Sequence, residues 1–381
     1  MLKAGCGIVC AIPYPAFNIQ RYNAHIRRVC AHFSKVCFLF VKTENSKMKH
    51  NQSYLGSRQK TAHSEVGRKN CNEMSLKGHK TMKHKNVKFT GVMSALVSCI
   101  DDEGNVFEDS MRRLMRWQLD AGMKGFYLTG GTGEGPVLQK ETRKRIVEIA
   151  KDEAKNQCRL IVHVGAIDLK TAVELARHAG AVGVDAISSV PPFFFRYGEP
   201  QIKDYYQALS DVSGLPILMY ASPLAGVNIT KDMVDHFMDI PNMIGLKWTS
   251  YDYYAMHSIK ELRGGNINVI NGPDETLLCG LSMGADGGIG ATYNVMPKLF
   301  AQIYDSFKAG DMETAQQAQF KANKLIELLI KYGVVCGIKD ILNMLGFQSG
   351  YQVYPQKRFT DDEQAAFRAE LKKLRYEDEY L

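Results

Sequence analysis

The sequence predicts an α/β protein in which a (β/α)₈ barrel is followed by a C-terminal helical subdomain. From residue 88 onward, short apolar runs alternate with amphipathic stretches of helical period, eight times over about 220 residues. The apolar runs are continuous, which is typical of parallel strands that are buried on both faces. Eight such units favour a closed barrel over an open doubly wound sheet.

Each strand is predicted from an apolar run, and each helix from the amphipathic stretch that follows it. The predicted strands are residues 91–97, 125–128, 160–164, 186–188, 217–220, 244–247, 269–271 and 287–289. The predicted barrel helices are residues 110–121, 139–155, 170–181, 199–212, 230–238, 253–262, 275–283 and 297–308. Three further helices, residues 312–332, 335–345 and 361–374, have no strands between them. We therefore predict a barrel over residues 88–309 and a helical subdomain over residues 310–381.

Residues 1–87 differ sharply from the rest of the 381-residue chain. They contain 16 Lys and Arg against three Glu, whereas residues 88–381 contain 32 basic and 37 acidic residues. The segment lacks sustained periodicity, so we predict that it is disordered or that the natural chain starts at Met82. A targeting peptide and a nucleic-acid-binding arm are the other interpretations. The overall charge of +8 comes from this segment and not from the barrel, so the charge predicts no nucleic-acid partner for the barrel.

The nine cysteines form an odd, unpatterned set, which favours a reducing compartment, and we predict a cytoplasmic protein. Cys6 and Cys10 have no paired Cys or His module at a zinc-like interval, so no metal is predicted. No apolar run reaches 18 residues, so no membrane span is predicted.

Lys247 is the residue that most strongly suggests chemistry. It directly follows the apolar run 243–246, and in a (β/α)₈ barrel the catalytic residues lie at the carboxyl ends of the strands. A lysine is rarely buried without a partner, and burial favours the neutral amine that attacks a ketone. The sequence therefore predicts a Schiff-base lysine, with a lysine that extends to solvent at the barrel mouth as the structural alternative.

Two other strand ends point to the same mouth. Strand two ends in Tyr127-Leu-Thr-Gly-Gly-Thr-Gly-Glu134, where three glycines within four residues allow backbone N–H groups to approach an anion. A glycine-rich turn also serves tight βα geometry alone, and no Lys-Ser/Thr follows it, so it is not a nucleotide-binding P-loop. Strand five ends in Tyr220, which ordinary packing would also explain. The convergence of the three features predicts a catalytic site.

These motifs resemble those of the pyruvate-dependent class I aldolases, the family that includes dihydrodipicolinate synthase and N-acetylneuraminate lyase. The resemblance covers about residue 89 to the C-terminus. It rests on the turn at residues 130–134, Tyr-x-x-Pro at 220–223 and Gly-Leu-Lys-x-Thr at 245–249. Residues 271–275 and 284–294 are most similar to the N-acetylneuraminate lyase branch. No arginine follows Pro223 in residues 224–227, which argues against the synthase branch.

The resemblance implies roles for eight residues. Lys247 would form an imine with a 2-keto acid, and Tyr220 would move protons. Gly131 and Thr132 would hold the carboxylate, and the remaining polar positions would bind the sugar-acid chain: Thr249, Gly272, Asp274 and Glu275. Asp274 and Glu275 are equally compatible with a helix N-terminus. The resemblance also implies a TIM barrel, pyruvate as a product, no cofactor and a homotetramer.

The chain departs from the family at three positions. Gly131 stands where Ser or Thr is usual, Phe194 where a tyrosine is common, and Ala291 where the lyases have serine. Two hydroxyls of the expected proton relay are therefore missing. We predict cleavage of N-acetylneuraminate to pyruvate and N-acetylmannosamine. The alternatives are an aldolase for another 2-keto-3-deoxy sugar acid and a non-catalytic sugar-acid-binding relative.

Overall fold

Eight parallel strands close into a barrel in a computed structural model that describes residue 84 and residues 87–381. Each strand pairs with the next in the chain, and the last pairs with the first. The strands are β1 Gly91–Ala95, β2 Gly125–Leu128, β3 Arg159–His163, β4 Ala186–Ser189, β5 Ile217–Ala221, β6 Met243–Trp248, β7 Asn268–Asn271 and β8 Gly287–Gly290. The predicted fold class is confirmed.

A helix follows every strand. The barrel helices are α1 Glu108–Asp120, α2 Lys140–Ala154, α3 Leu169–Val182, α4 Glu199–Ser213, α5 Lys231–Phe237, α6 Tyr253–Lys260, α7 Leu277–Ser282 and α8 Pro297–Ala309. Short 3₁₀ turns lie after four strands, at Gly135–Val137, Pro223–Ala225, Asp274–Thr276 and Thr292–Asn294. A further kinked turn, Leu262–Gly265, follows α6, and there Arg263 and Gly264 adopt positive φ.

Four helices follow the barrel: α9 Met312–Tyr332, α10 Val334–Met344, α11 Asp361–Lys373 and α12 Tyr376–Tyr380. Helix α11 begins with a capping box, in which Thr360 and Glu363 bond each other's backbone N–H groups. The described residues belong to one compact unit. None of their helices is long and apolar enough to cross a membrane.

Two apolar clusters explain the architecture. The larger one packs the helices against the outer face of the sheet. The smaller one takes residues from all eight strands and from no helix, so it fills the barrel interior. Its strand members are Met93, Ala95, Tyr127, Ile161, Ala186, Leu218, Ile244, Ile270 and Ile289. Burial on both faces is what continuous apolar strands require.

Residues 1–83 lie outside the described residues, together with residues 85 and 86. The predictions of a disordered segment, of a start at Met82 and of a targeting or nucleic-acid-binding arm fall in that part of the chain.

Candidate active site

Polar side chains form a ring above the apolar filling of the barrel. Tyr127 lies in the inner cluster, and its hydroxyl donates to Ser188 Oγ at 3.0 Å. The His163 ring centroid is 6.2 Å from that of Tyr127 and 6.1 Å from that of Tyr220. Side chains alternate across a strand, so these residues take inward positions near the carboxyl ends of β2, β3, β4 and β5. The ring is the floor of a site at the barrel mouth.

Lys247, on β6, completes this ring of polar side chains. Its side chain is buried, and it is the register partner of Tyr220 on β5. The Lys247 Nζ lies 4.5 Å from the Tyr220 ring centroid and 4.9 Å from that of Tyr127. Aromatic faces attract a cation, and the two rings therefore give the buried amine a favourable contact. The amine is thus inside the barrel, as the Schiff-base interpretation requires.

A β-bulge aims Lys247 inward. Ile244 belongs to the interior cluster and Leu246, two residues later, to the outer one, so the normal alternation breaks between them. The register with β5 shifts at the same place, from Ile217↔Met243 to Leu218↔Gly245. A Cβ on Gly245 would lie 1.9 Å from the Asn268 carbonyl oxygen, so only glycine fits this position. Bulges often re-aim a side chain beside a functional site, and this one does so for Lys247.

The Tyr220 hydroxyl titrates below its ordinary range. Burial opposes its ionisation, but the positive charge of Lys247 and the hydroxyls of Thr249 and Ser222 outweigh burial and lower its pKa. Burial has the opposite net result for Tyr127, whose pKa lies well above its ordinary value. Of these two tyrosines, Tyr220 is therefore the one better suited to exchange protons.

His163 is held as a neutral ring. Its Nδ1 lies 3.2 Å from the Thr129 carbonyl, and its Nε2 accepts from the Val190 N–H at 3.4 Å. Burial, together with the charge of Arg143, lowers the pKa of His163 to about 3. The ring stays uncharged over the ordinary pH range, so it packs beside Tyr220 and does not act as an acid there.

The glycine turn after β2 is closed by its own backbone. The Glu134 N–H donates to the Gly131 carbonyl and the Gly135 N–H to the Gly130 carbonyl, both at 3.0 Å. Within residues 87–381, the N–H groups of Gly131 and Thr132 donate to no backbone carbonyl. Gly131 is exposed. The turn therefore offers two free donors at the mouth, which suits an anion.

Thr249 and Gly272 lie where β6 and β7 end. The Gly272 N–H donates to the Trp248 carbonyl at 2.8 Å, and the Thr249 N–H donates to the Ala221 carbonyl at 2.9 Å. A Cβ on Gly272 would lie 2.1 Å from Thr249 Oγ1, so glycine is required for the close approach. These bonds fix the Thr249 hydroxyl beside Tyr220.

Asp274 and Glu275 occupy the turn between β7 and α7. Asp274 Oδ2 accepts from the Thr292 N–H and hydroxyl, both at 2.7 Å, and burial raises its pKa to about 6. Glu275 is partly buried and accepts from the Tyr251 hydroxyl. Helix α9 supports the turn, because Gln319 donates to the Asp274 carbonyl. Both carboxylates thus belong to the turn that follows β7, at the carboxyl end of the barrel.

All eight predicted residues are at the same end of the barrel. The three departures from the family, which include Gly131, differ from one another in their surroundings. Phe194 is 82% exposed in the loop after β4 and adopts φ of 81°. A Cβ on Gly131 would meet no atom within 4 Å. Ala291 is partly buried and directly precedes Thr292, the partner of Asp274.

Three members of the ring were not predicted: Tyr127, His163 and Ser188. Counting inward positions from the apolar runs would have found them, since each is the last or next-to-last residue of its strand. The same count on β6 would have placed Lys247 on the outer face, because the bulge reverses the alternation of that strand.

A buried lysine against a tyrosine of lowered pKa, inside the carboxyl end of a (β/α)₈ barrel, defines a class I aldolase. The chain belongs to the Dihydrodipicolinate synthetase family, whose sequence profile matches residues 88–374.

Similar proteins agree with this class. The chain is 35% identical to the N-acetylneuraminate lyase of Pasteurella multocida (strain Pm70) over 291 residues, which are 76% of this chain and 98% of that one. It resembles the Clostridium difficile protein solved in complex with mannosamine, at 33% identity and a TM-score of 0.72, over 76% of this chain and all of that one. It also resembles a catalytic lysine mutant of the Ruminococcus gnavus sialic acid aldolase, with 30% identity, a TM-score of 0.73 and coverage of 77% and 98%.

Proposed function

We propose that the protein cleaves N-acetylneuraminate to pyruvate and N-acetylmannosamine through an imine on Lys247. The observation that carries this proposal is the buried Lys247 amine in contact with the Tyr220 ring, 4.5 Å from its centroid. The names of similar proteins supply the substrate. N-acetylneuraminate lyase is the name of the Pasteurella relative, and the Clostridium relative was solved with mannosamine.

The reaction begins at the keto group of the open-chain sugar acid. The amine of Lys247, once it has given up its proton, adds to C2, and loss of water gives a protonated imine. The free N–H groups of Gly131 and Thr132 bind the carboxylate at C1, with the Thr132 hydroxyl beside it. This binding orients the keto carbon toward Nζ. Holding the two reacting atoms close together and aligned raises the rate of the attack.

The carbon–carbon bond breaks in the second step. Tyr220 removes the proton from the C4 hydroxyl, and the electrons of the C3–C4 bond move into the imine. C4 leaves as the aldehyde of N-acetylmannosamine, and an enamine remains on Lys247. Tyr220 then returns a proton to C3, and water hydrolyses the imine to release pyruvate. The lowered pKa of Tyr220 supports its part in both proton transfers.

The far end of the substrate carries several hydroxyls. We assign to this end Thr249, Gly272, Asp274 and Glu275, which follow β6 and β7 in the chain. Carboxylates that accept from neighbouring hydroxyls suit a sugar chain better than a second carboxylate. By resemblance we also propose a homotetramer. The cysteine content supports a cytoplasmic location, and the charge and periodicity of the sequence support a division of the chain at residues 87 and 309.

A coupled assay for pyruvate release tests the function. The full chain is expected to release pyruvate from N-acetylneuraminate faster than from 2-keto-3-deoxy sugar acids that lack the N-acetyl group. Faster release from one of those acids would support the aldolase for another sugar acid, which Gly131, Phe194 and Ala291 favour. Thermal stabilisation by the sugar acid without any release of pyruvate would indicate a binding protein and contradict the proposal.

Restoring one missing hydroxyl should raise the rate. Gly131→Ser adds a side chain where a Cβ meets no atom within 4 Å, so the fold should accept it. One recovered hydrogen bond contributes about 0.5–1.5 kcal/mol, so we expect kcat to rise about twofold to tenfold. Steady-state kinetics with N-acetylneuraminate measures this effect.

Gly133→Ser is the matched control, because a Cβ there would lie 2.8 Å from the Leu96 carbonyl oxygen. It should lower both stability and activity. If Gly131→Ser leaves kcat unchanged at an unchanged melting temperature, the missing hydroxyl does not limit the reaction.

A further inference from the structure

A buried ion pair ties the glycine turn to the C-terminal helices. Lys339 on α10 lies 2.8 Å from Glu134 Oε2, and their side chains are 2% and 0% exposed. Glu134 is the last residue of the segment that offers Gly131 and Thr132 to the mouth. Neither member of the pair takes part in the proposed reaction, so its presence beside the site needs another explanation.

Among the residues that the structure describes, the side-chain hydrogen bonds and the ion pair of the Glu134 carboxylate all come from the C-terminal part of the chain. Its Oε1 accepts from the Val353 N–H at 2.8 Å and from Gln356 Nε2 at 3.0 Å. Lys339 also donates to the Tyr351 carbonyl at 2.8 Å. Residues 351–356 therefore enclose the pair. One glutamate side chain thus anchors a turn of the barrel mouth to a segment more than 200 residues later in the sequence.

Stability alone does not account for this pair. Removing two charges from water is costly, and apolar residues of similar volume often stabilise a protein equally well or better. What an ion pair with directional hydrogen bonds adds is a defined position. Glu134 also adopts a left-handed backbone with φ of 56°, which is unfavourable for a residue other than glycine. Its side-chain partners offset that cost and hold the turn in this shape.

The backbone transmits this position to the binding groups. The Glu134 N–H donates to the Gly131 carbonyl at 3.0 Å, so rotation of Glu134 moves the peptide that joins Gly131 to Thr132. The N–H of Thr132 belongs to that same peptide. From the other side, Ser98 Oγ donates to the Gly133 carbonyl at 2.6 Å. The turn is therefore held on one side by Ser98, in the segment after β1, and on the other by α10, with its two free donors between these contacts.

We propose that Glu134 and Lys339 are positioning residues that set the carboxylate-binding geometry of the Gly131–Thr132 turn. This inference rests on the proposed function, because it assumes that the turn binds the carboxylate of a 2-keto acid. The C-terminal helices then contribute to ligand recognition at the barrel mouth and do more than cover the barrel.

The test compares two ketones in borohydride trapping at Lys247 in the full chain. Pyruvate carries the carboxylate, and hydroxyacetone forms an imine without one. The double variant Glu134→Gln/Lys339→Met removes both charges together, so no single buried charge is left unpaired. Its half-saturating pyruvate concentration should rise about tenfold, equivalent to about 1.4 kcal/mol, while that of hydroxyacetone should change less than about threefold.

The matched control is another ion pair, only partly buried, at the opposite end of the barrel. Lys260 lies 2.6 Å from Asp286, which immediately precedes β8, and their side chains are 15% and 14% exposed. Lys260→Met/Asp286→Asn should lower the melting temperature without changing the half-saturating concentration of one ketone relative to the other. If the half-saturating concentrations of both ketones rise equally in the Glu134/Lys339 variant, or if neither rises, the proposal is overturned. If borohydride traps neither pyruvate nor hydroxyacetone on the wild-type chain, the proposed function is wrong and this inference falls with it.

Discussion

Replacing Lys247 by methionine should abolish imine formation and with it carbon–carbon cleavage. No other group in the ring of Tyr127, His163, Ser188 and Tyr220 is an amine. Without the covalent route, we expect pyruvate release from N-acetylneuraminate to fall by at least about 10⁴-fold. Borohydride reduction in the presence of pyruvate should add the mass of the reduced adduct to the wild-type chain and add nothing to the variant.

The folded state should survive this change. Methionine has nearly the volume of lysine, and it removes a buried polar group, so the melting temperature should stay the same or rise. Lys260→Met, at the other end of the barrel, is the control for loss of a partly buried lysine. It should keep the adduct. Peptide mapping that places the wild-type adduct on any lysine other than Lys247 would refute the assignment.

The strands and helices were predictable because burial on two faces leaves a plain record in the sequence. Residues 125–128 and 312–332 were predicted with the bounds that the structure has, Gly125–Leu128 and Met312–Tyr332. The helix predicted at residues 275–283 begins later, at Leu277. Asp274–Thr276 forms a 3₁₀ turn instead, because the Asp274 side chain bonds to Thr292 at the end of β8. Bonds of that kind join distant residues, and no local pattern records them.

The sequence indicated which strand ends form the site, but not the directions in which their side chains point. The position of Lys247 after an apolar run was evident, yet its inward direction depends on the bulge at Gly245. A bulge changes the pairing of two strands, and sequence periodicity within one strand does not reveal its partner's register. The supports of the mouth were equally hidden. Asn323 on α9 donates to the Glu275 carbonyl at 3.1 Å, across 48 positions of sequence.

Replacing Tyr220 by phenylalanine should separate imine formation from the carbon chemistry. The amine of Lys247 remains, so pyruvate should still be trapped by borohydride after long incubation. Removal of a general acid–base group typically costs about 10²–10⁴-fold, and we expect that loss in kcat for N-acetylneuraminate. The exchange of pyruvate C3 hydrogens with D₂O reports enamine formation directly, and it should slow by a similar factor.

The pH dependence distinguishes a proton-transfer role of Tyr220 from a packing role. Because its pKa is lowered from the ordinary value, the reactive phenolate form of Tyr220 should accumulate at lower pH than that of a free tyrosine. The wild-type exchange rate should therefore rise with pH and level off at a lower pH than the titration of a free tyrosine would give, and Tyr220→Phe should remove this limb. Tyr206→Phe is the control, since it removes another buried tyrosine hydroxyl, which donates to the Ser189 carbonyl at 2.7 Å. An unchanged pH limb in Tyr220→Phe would assign the proton transfers to another group and leave Tyr220 as a wall of the lysine pocket.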